Sequence, residues 1–131
     1  HKEISSYAKK IIFESDYKAK RLVKLIKKLN FKHFGINYDV GNSASLNYNI
    51  NDEFLSYGKF IKNVHIKDRK KFGATVRLGD GNADFKELFK NLKKTNYKGN
   101  LILQTARSKN NKHVEEIITN LNYIKKFNNE N

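Results

Sequence analysis

Short apolar segments alternate with amphipathic helical patterns along this chain. Such segments are typical of strands buried in a parallel sheet, and the helical stretches between them supply the crossovers that parallel strands need. Four strands are predicted, at Ile11–Phe13, Phe34–Tyr38, Ile61–Ile66 and Leu101–Gln104. The pattern therefore predicts an α/β protein built from four parallel βα units with right-handed connections.

Helices are expected where apolar residues recur at helical spacing behind a capping residue. The end of one helix is expected at residues 4–10, and further helices over residues 16–28, from 51 or 52 to 57, from 84 through 92, and over 111–127. Asp16 is predicted to cap the first complete helix, and Asp84 forms a predicted capping box with Glu87. The last helix carries an apolar stripe made of Val114, Ile117, Ile118, Leu121 and Ile124.

Two segments between these elements are expected to be irregular. Residues 39–43 are rich in turn-forming residues, and a loop punctuated by Gly73, Gly79 and Gly81 follows the third strand. Glycine and small polar residues in such clusters favour turns over helices and strands.

Four βα units amount to about half of a TIM barrel, a fold of roughly 250 residues. The 131 residues suit a single domain, predicted over residues 1–127 with a disordered tail at 128–131. An open parallel sheet has two unpaired edges and a face that must be covered. We therefore expect a partner, either a missing N-terminal half-barrel or another copy of the chain. The chain contains no Met, which suggests a piece of a longer protein or a processed one.

Composition excludes several classes of function. The absence of Cys excludes disulfides and thiolate metal sites. No segment is long and apolar enough to span a membrane and no signal peptide is visible, so a cytoplasmic location is expected. The formal charge of +14 comes mostly from lysines on the polar faces of the predicted helices. This distribution favours a solvated surface over a nucleic-acid partner.

A polar residue stands at the carboxyl end of each predicted strand, namely Glu14, Asp39, His65 and Gln104. These ends meet at one edge of a parallel sheet, so the four side chains could share a cavity. Two carboxylates and an imidazole suit Mn²⁺, Mg²⁺, Co²⁺ or Zn²⁺. Each residue also has a simpler explanation: Glu14 could cap a helix, Asp39 could belong to a turn, and His65 could be structural.

Three motifs, at Asn37–Ser43, Val64–Arg69 and Leu78–Gly81 followed by Asp84-Phe85, make the chain resemble a known family. From Ile4 to Phe127 it is similar to the sugar phosphate isomerase/epimerase family of the xylose isomerase-like TIM-barrel superfamily, which also includes the apurinic endonucleases. The resemblance implies the C-terminal half of such a barrel, with four parallel βα units.

The resemblance also implies a divalent metal at the C-terminal mouth of the barrel. Glu14 matches the family's glutamate that serves as ligand and as acid/base, while Asp39 and His65 match its aspartate and histidine ligands. Gln104 stands where the family usually has a second glutamate. The implied reaction is isomerisation or epimerisation of a sugar or sugar phosphate, by metal-assisted carboxylate proton transfer through an ene-diolate.

Gln104 makes this prediction incomplete. An amide oxygen coordinates a metal more weakly than a carboxylate does, and the side chain cannot exchange a proton near neutral pH. Epimerisation with one base on each face of a carbon would therefore lose a base. Isomerisation by Glu14 alone could survive, and so we expect impaired or altered catalysis.

Further residues near the predicted mouth are candidates for substrate binding. Asn42 stands where many relatives have a substrate-contacting histidine or asparagine. The other candidates are Lys67, Asp68, Arg69, Arg77 and Arg107. Arginine suits phosphate because its planar fork binds two oxygens at once. Alternatively, Asp68 and Arg69 pair with each other or with the backbone.

Two other functions remain open at this point. The first is a catalytically impaired half-barrel, or pseudoenzyme, that needs a partner half. The second and less favoured is an apurinic endonuclease-like phosphodiesterase, since that chemistry uses several histidine ligands and only His65 stands at a strand end.

Overall fold

The computed structural model describes residues 10–29, 33–108 and 110–129, without the side chains of residues 128 and 129. The strands, in chain order, are β1 (Ile11–Phe13), β2 (Phe34–Asp39), β3 (Ile61–Ile66), β4 (Asp68–Arg69), β5 (Thr75–Val76) and β6 (Asn100–Leu103). One four-stranded sheet has the order β1-β2-β3-β6, and every neighbouring pair in it is parallel. The predicted α/β fold with four parallel strands is therefore confirmed.

β4 and β5 form a separate antiparallel pair inside the glycine-punctuated loop. The sequence did not predict this pair. Two-residue strands leave too little pattern to detect, and tertiary contacts define them more than propensity does.

The helices are α1 (Ala19–Lys28), α2 (Val40–Ser45), α3 (Ile50–Tyr57), α4 (Phe85–Lys94) and α5 (His113–Asn129). Asp84 caps α4 by accepting a hydrogen bond from the backbone of Glu87, as predicted. The predicted cap at Asp16 is wrong, because α1 begins at Ala19 behind Lys18, which makes no side-chain cap. α3 begins earlier than expected, behind Asn49, whose side chain accepts from two backbone N–H groups.

Two further differences concern α2 and the end of the chain. α2 occupies the segment that was expected to be a turn, and Asp39 is its N-cap. α5 continues to Asn129, two residues past the predicted end at Phe127. The described residues do not include 130 and 131, nor residues 4–9, where the end of a helix was expected.

The strands separate apolar and polar residues onto the two faces of the sheet. Alternate side chains of a strand point to opposite faces, and on β2 the residues Phe34, Ile36 and Tyr38 are buried in the hydrophobic core. The core partners from other elements include Leu22, Ile26, Val64, Ile66, Phe54 and Leu88. The opposite face of β2 carries Gly35, Asn37 and Asp39, so polar side chains collect on the face away from the helices.

A β-bulge sets the register between β2 and β3. Ile36 pairs with Ile61, but Asn37 pairs with Asn63, which leaves Lys62 as an extra residue on β3. Without this shift Asp39 would lie opposite Val64, whose side chain belongs to the core. The bulge therefore places Asp39 beside His65 on the polar face.

Apolar side chains remain exposed at both ends of the sheet and along α5. Ile12 on β1 and Leu101 and Ile102 on β6 are each more than 40% exposed. The predicted stripe of α5 is largely uncovered, with Val114, Ile117, Ile118 and Leu121 between 41% and 68% exposed and only Ile124 buried. No described helix has both the length and the apolar character that crossing a bilayer requires.

Candidate metal centre

The carboxyl ends of β1, β2 and β3 bring three of the predicted ligands together. Glu14 follows β1, Asp39 ends β2, and His65 lies on β3 directly opposite Asp39. One potential ligand atom from each of the three residues lies within 4.8 Å of the other two. Parallel strands with a matched register therefore produce the cluster that the strand-end pattern anticipated.

Asp39 is the most constrained member of this cluster. Its side chain is 1% exposed, and Oδ1 accepts a hydrogen bond of 2.8 Å from the backbone N–H of Asn42, which caps α2. Oδ2 is buried and has no hydrogen-bond partner. Lys67 Nζ lies at an ion-pair distance of 3.4 Å from this oxygen, and His65 Nδ1 lies 3.9 Å from it. Burial raises the pKa of Asp39 above its ordinary value, while the Asn42 N–H and Lys67 lower it.

An unmet buried carboxylate oxygen is rare in proteins and calls for a cation or an ordered donor. Here it faces a second carboxylate and an imidazole nitrogen. This donor set fits a divalent cation that accepts oxygen and nitrogen ligands.

Glu14 reaches into the cluster instead of capping α1. Its Oε2 lies 3.3 Å from His65 Nδ1 and accepts a hydrogen bond of 2.7 Å from Asn37 Nδ2. Its Oε1 accepts from Asn42 Nδ2 at 2.9 Å. The side chain is 39% exposed, so Glu14 is the member of the cluster most open to a ligand at the mouth.

Sequence reasoning missed an amide pair beneath the cluster. Asn63 Nδ2 donates to Asn37 Oδ1 at 2.6 Å, and Asn37 Nδ2 lies 3.2 Å from both ring nitrogens of His65. Both asparagines stand two residues before a predicted ligand, Asn37 before Asp39 and Asn63 before His65. The strand period of two places residues at this spacing on one face, so the signal was present in the sequence.

Three of the predicted substrate contacts lie at the cluster. Asn42 donates to Glu14 through Nδ2 and accepts from Arg69 Nη1 at 3.0 Å through Oδ1. Arg69 also donates through Nε and Nη2 to the carbonyl of Gly73. Lys67 lies beside Asp39. A connected polar network therefore runs from Glu14 to the loop after β4.

Asp68 and Arg77 are committed to other contacts. The carboxylate of Asp68 is 1% exposed and accepts hydrogen bonds of 2.9–3.0 Å from the backbone N–H groups of Gly79, Gly81 and Ala83. Asp68 therefore pairs with the backbone, which is the alternative to substrate binding that was considered for this residue. Arg77 is about half exposed and its Nε lies 3.1 Å from Glu116 Oε1 on α5.

Gln104 and Arg107 are exposed beyond β6. The backbone N–H of Gln104 donates to the carbonyl of Ile66, but its side chain makes no hydrogen bond within the described part of the chain. Ile102 is the residue that pairs with His65, so Gln104 stands two residues further along the strand direction. Its assignment as a fourth ligand stays a prediction.

A second missed feature is the buried carboxylate of Glu53 on α3. It accepts hydrogen bonds from the hydroxyls of Tyr38 at 2.9 Å, Tyr57 at 2.8 Å and Ser43. Burial raises the pKa of Glu53, although all three hydroxyl contacts lower it. Because Ser43 belongs to α2 and Tyr38 to β2, this cluster fixes α2 against the strand that ends in Asp39.

The family model of xylose isomerase-like TIM barrels matches residues 10–127. A Haemophilus influenzae protein named "Putative L-ribulose-5-phosphate 3-epimerase SgbU" is 32% identical over 97 residues, which cover 69% of this chain and 34% of that protein. An uncharacterised protein of Methanocaldococcus jannaschii is 24% identical over 109 residues, covering 81% of this chain and 35% of the relative.

Two solved structures are similar in fold. A xylose isomerase domain protein from Planctomyces limnophilus has a TM-score of 0.79 at 18% identity, over 92% of this chain and 47% of that one. The 3-keto-D-glucoside 4-epimerase of E. coli, in its apo form, has a TM-score of 0.60 at 18% identity, over 82% of this chain and 38% of that one. The chain spans between 34% and 47% of the length of these proteins, as part of a barrel would. It belongs to the xylose isomerase-like TIM barrel family.

Proposed function

We propose that this chain contributes the metal-binding half of a sugar or sugar-phosphate isomerase or epimerase. The observation that carries the proposal is the buried Asp39 Oδ2, which lacks a hydrogen-bond donor and lies beside His65 and Lys67. The sugar class is suggested by the epimerase names of the similar proteins.

Glu14, Asp39 and His65 would hold the ion, which is Mn²⁺, Mg²⁺, Co²⁺ or Zn²⁺ in this proposal. When bound, such an ion supplies Lewis-acid stabilisation of the negative charge that develops on a sugar oxygen during ene-diolate formation. Asp39 is enclosed and contributes charge. The side-chain amides of Asn42 and Asn37 each donate to one oxygen of Glu14 and so orient its carboxylate.

Glu14 is the proposed base. It is the partly exposed carboxylate at the mouth, and both of its oxygens are held by amide donors. A carboxylate fixed in this way can take a proton from a sugar carbon and return it to a neighbouring atom. Lys67 beside Asp39, and Arg69, which donates to Asn42, add positive charge to the network, which favours an anionic substrate such as a sugar phosphate.

Gln104 favours a one-base proton transfer or an impaired enzyme. Its side chain is exposed, engages no described residue, and cannot ionise. A catalytically impaired half-barrel is therefore the second candidate. The phosphodiesterase alternative is less favoured, because His65 is the one histidine in the cluster found among the described residues.

The exposed apolar surface calls for a partner that completes the barrel. The uncovered positions lie at both sheet edges and along α5, where a closed barrel would have neighbours. We propose a complementary half-barrel, or a second copy of this chain, at these edges. Native mass measurement on the protein as isolated from its source distinguishes multiples of 15.3 kDa from a longer single polypeptide.

The test of the proposed function uses the intact protein. Two quantities are measured: the metal content after dialysis, and the turnover of pentulose 5-phosphates and 3-keto-glucosides with added Mn²⁺. The proteins compared are the unmodified protein, Glu14→Gln and the exposed control Glu115→Gln. We expect one bound ion per site and a kcat for Glu14→Gln that is lower by about 10²- to 10⁴-fold. Tight metal binding without turnover would favour the impaired half-barrel, and absence of metal binding would overturn the proposed metal-dependent function.

A further inference from the structure

We infer that Arg69 is a positioning residue, which sets the orientation of Glu14 through the side-chain amide of Asn42. The inference rests on the proposed function, because Glu14 is the base in that proposal. It gives Arg69 a role that differs from the direct substrate contact predicted from the sequence.

The Arg69 guanidinium is held by the hairpin that β4 and β5 form. Its Nε and Nη2 atoms both donate to the carbonyl of Gly73, at 3.1 Å and 2.8 Å. Gly73 lies in the turn of this hairpin, where its own N–H group donates to the carbonyl of Lys70. The backbone of Arg69 is also fixed, since its carbonyl accepts from the N–H group of Asn82. Because a guanidinium is planar and rigid, holding Nε and Nη2 also fixes the position of Nη1.

Asn42 connects this fixed donor to Glu14. Arg69 Nη1 donates to Asn42 Oδ1 at 3.0 Å, and Asn42 Nδ2 donates to Glu14 Oε1 at 2.9 Å. A guanidinium offers donors alone, and an ionised carboxylate offers acceptors alone. An inverted amide would set N–H groups against each other at Arg69 and oxygens against each other at Glu14. The Asn42 amide therefore has one orientation that satisfies both neighbours, and it directs an N–H group at Glu14.

The backbone of Asn42 is held without the help of Arg69. Its N–H group donates to Asp39 Oδ1 at 2.8 Å, and this contact caps α2. The contribution of Arg69 is therefore confined to the orientation of the Asn42 side chain. Loss of Arg69 should leave α2 and Asp39 in place while it frees the amide.

Glu14 depends on such support more than Asp39 does. The Glu14 side chain is 39% exposed and follows β1, a strand of three residues at the edge of the sheet, whereas the Asp39 side chain is 1% exposed. An exposed glutamate populates several rotamers, and holding it in one of them costs conformational entropy. Fixed hydrogen-bond donors offset that cost.

Two amides hold the Glu14 carboxylate, and they differ in what stands behind them. Asn37 donates to Oε2 and accepts from the neutral Asn63, while Asn42 donates to Oε1 and accepts from the cationic Arg69. Hydrogen bonds from a charged donor are stronger, and they polarise the next bond in a chain. The pair that begins at Arg69 should therefore fix Glu14 more firmly, and the other pair provides an internal reference.

Nitrogen–proton spectra of the intact protein, labelled at asparagine and free of added metal, test the inference directly. Arg69→Met removes every donor of the guanidinium but keeps the length of the stem. In this variant the side-chain amide protons of Asn42 should exchange with solvent about tenfold faster, while those of Asn37 change by less than about twofold. The control Arg21→Met removes the same charge from an exposed position on α1 and should change neither rate. Unchanged exchange at Asn42 in Arg69→Met would overturn the inference.

Kinetics with the substrates and Mn²⁺ of the preceding test separate positioning from substrate contact. In Arg69→Met, kcat should fall about tenfold with KM within about twofold, because a misdirected base impairs the proton transfer. Adding Arg69→Met to Asn42→Ala should cost less than about a further twofold, since Arg69 acts through Asn42. A rise in KM alone, or a full further loss in the double variant, would overturn the inference.

Thermal unfolding shows that each variant is folded before these measurements, and Arg69→Gln replaces Arg69→Met if the latter is not. The two proposals can fail separately. An unmodified protein without turnover would overturn the proposed function, and the exchange rates at Asn42 would still decide whether Arg69 holds this amide.

Discussion

Two buried carboxylates lie on either side of β2 and differ in what surrounds them. Asp39 and Glu53 are 5% and 4% exposed, and burial raises the pKa of each. Glu53 accepts hydrogen bonds from three hydroxyls on three elements, whereas Asp39 keeps one oxygen without a donor. A satisfied buried acid stabilises the fold, while an unsatisfied one marks a place where a ligand completes the site.

The largest expected effect comes from replacing the Asp39 oxygen that lacks a hydrogen-bond donor. Asp39→Asn should weaken Mn²⁺ binding at least 100-fold, because it removes the charge of a proposed ligand. The free energy of unfolding of the metal-free protein should stay within about 0.5 kcal/mol or rise, since Asn is as good an N-cap as Asp. Calorimetry and urea denaturation measure the two quantities. A loss of stability above about 2 kcal/mol would remove the contrast with Glu53.

The opposite outcome is expected at Glu53. Glu53→Ala leaves three buried hydroxyls without their acceptor and should lower the free energy of unfolding by about 3 kcal/mol or more. Urea denaturation measures the loss, and the exposed Glu115→Ala serves as control with a change below about 0.5 kcal/mol. If Glu53→Ala were as mild as the control, the cluster would not hold α2 in place.

The two acids should also make the metal-free protein less stable as the pH rises. A carboxyl whose folded-state pKa is raised contributes stability that is complete below its ordinary pKa and is lost as the pH rises through the raised value. For Glu53 this loss begins near its ordinary value of 4.5, and for Asp39 near 3.8. Denaturation at a series of pH values should show a smaller decline in Asp39→Asn than in the unmodified protein. Parallel curves would contradict the raised pKa of Asp39.

The smallest effect is expected at Arg77, which is half exposed and forms an ion pair with the partly buried Glu116. Exposed ion pairs contribute little, so Arg77→Gln should change the free energy of unfolding by less than about 0.5 kcal/mol. If Arg77 nevertheless binds substrate, as the sequence suggested, the same variant raises KM several-fold at unchanged stability. Steady-state kinetics on a phosphorylated sugar therefore separates the two roles.

The four parallel strands and three members of the candidate metal cluster could be predicted from the sequence, because both follow from the pattern of apolar runs and the polar residues that end them. Apolar runs locate the strands, and parallel pairing brings Glu14, Asp39 and His65 to one edge. α2 could not be predicted, because its Gly and Ser residues are weak helix formers. That helix is held instead by the Asp39 cap and by the contact of Ser43 with Glu53.

Two other features were not predicted because they depend on contacts between residues that are distant in the sequence. The Glu53 cluster joins residues from β2, α2 and α3, so no local pattern contains it. The bulge at Lys62 is a property of strand pairing and leaves no mark in either strand alone. The Asn37–Asn63 pair could have been found from the sequence, since each asparagine precedes a predicted ligand at the strand period of two.

The three hydrogen bonds that Asp68 accepts have a consequence for the loop that precedes α4. Its carboxylate ties down Gly79, Gly81 and Ala83, so the loop that leads into α4 takes its shape during folding. A loop that is ordered in advance loses little conformational entropy when a ligand arrives. The Asp68 carboxylate therefore makes this loop a preformed part of the fold, held without the help of a ligand.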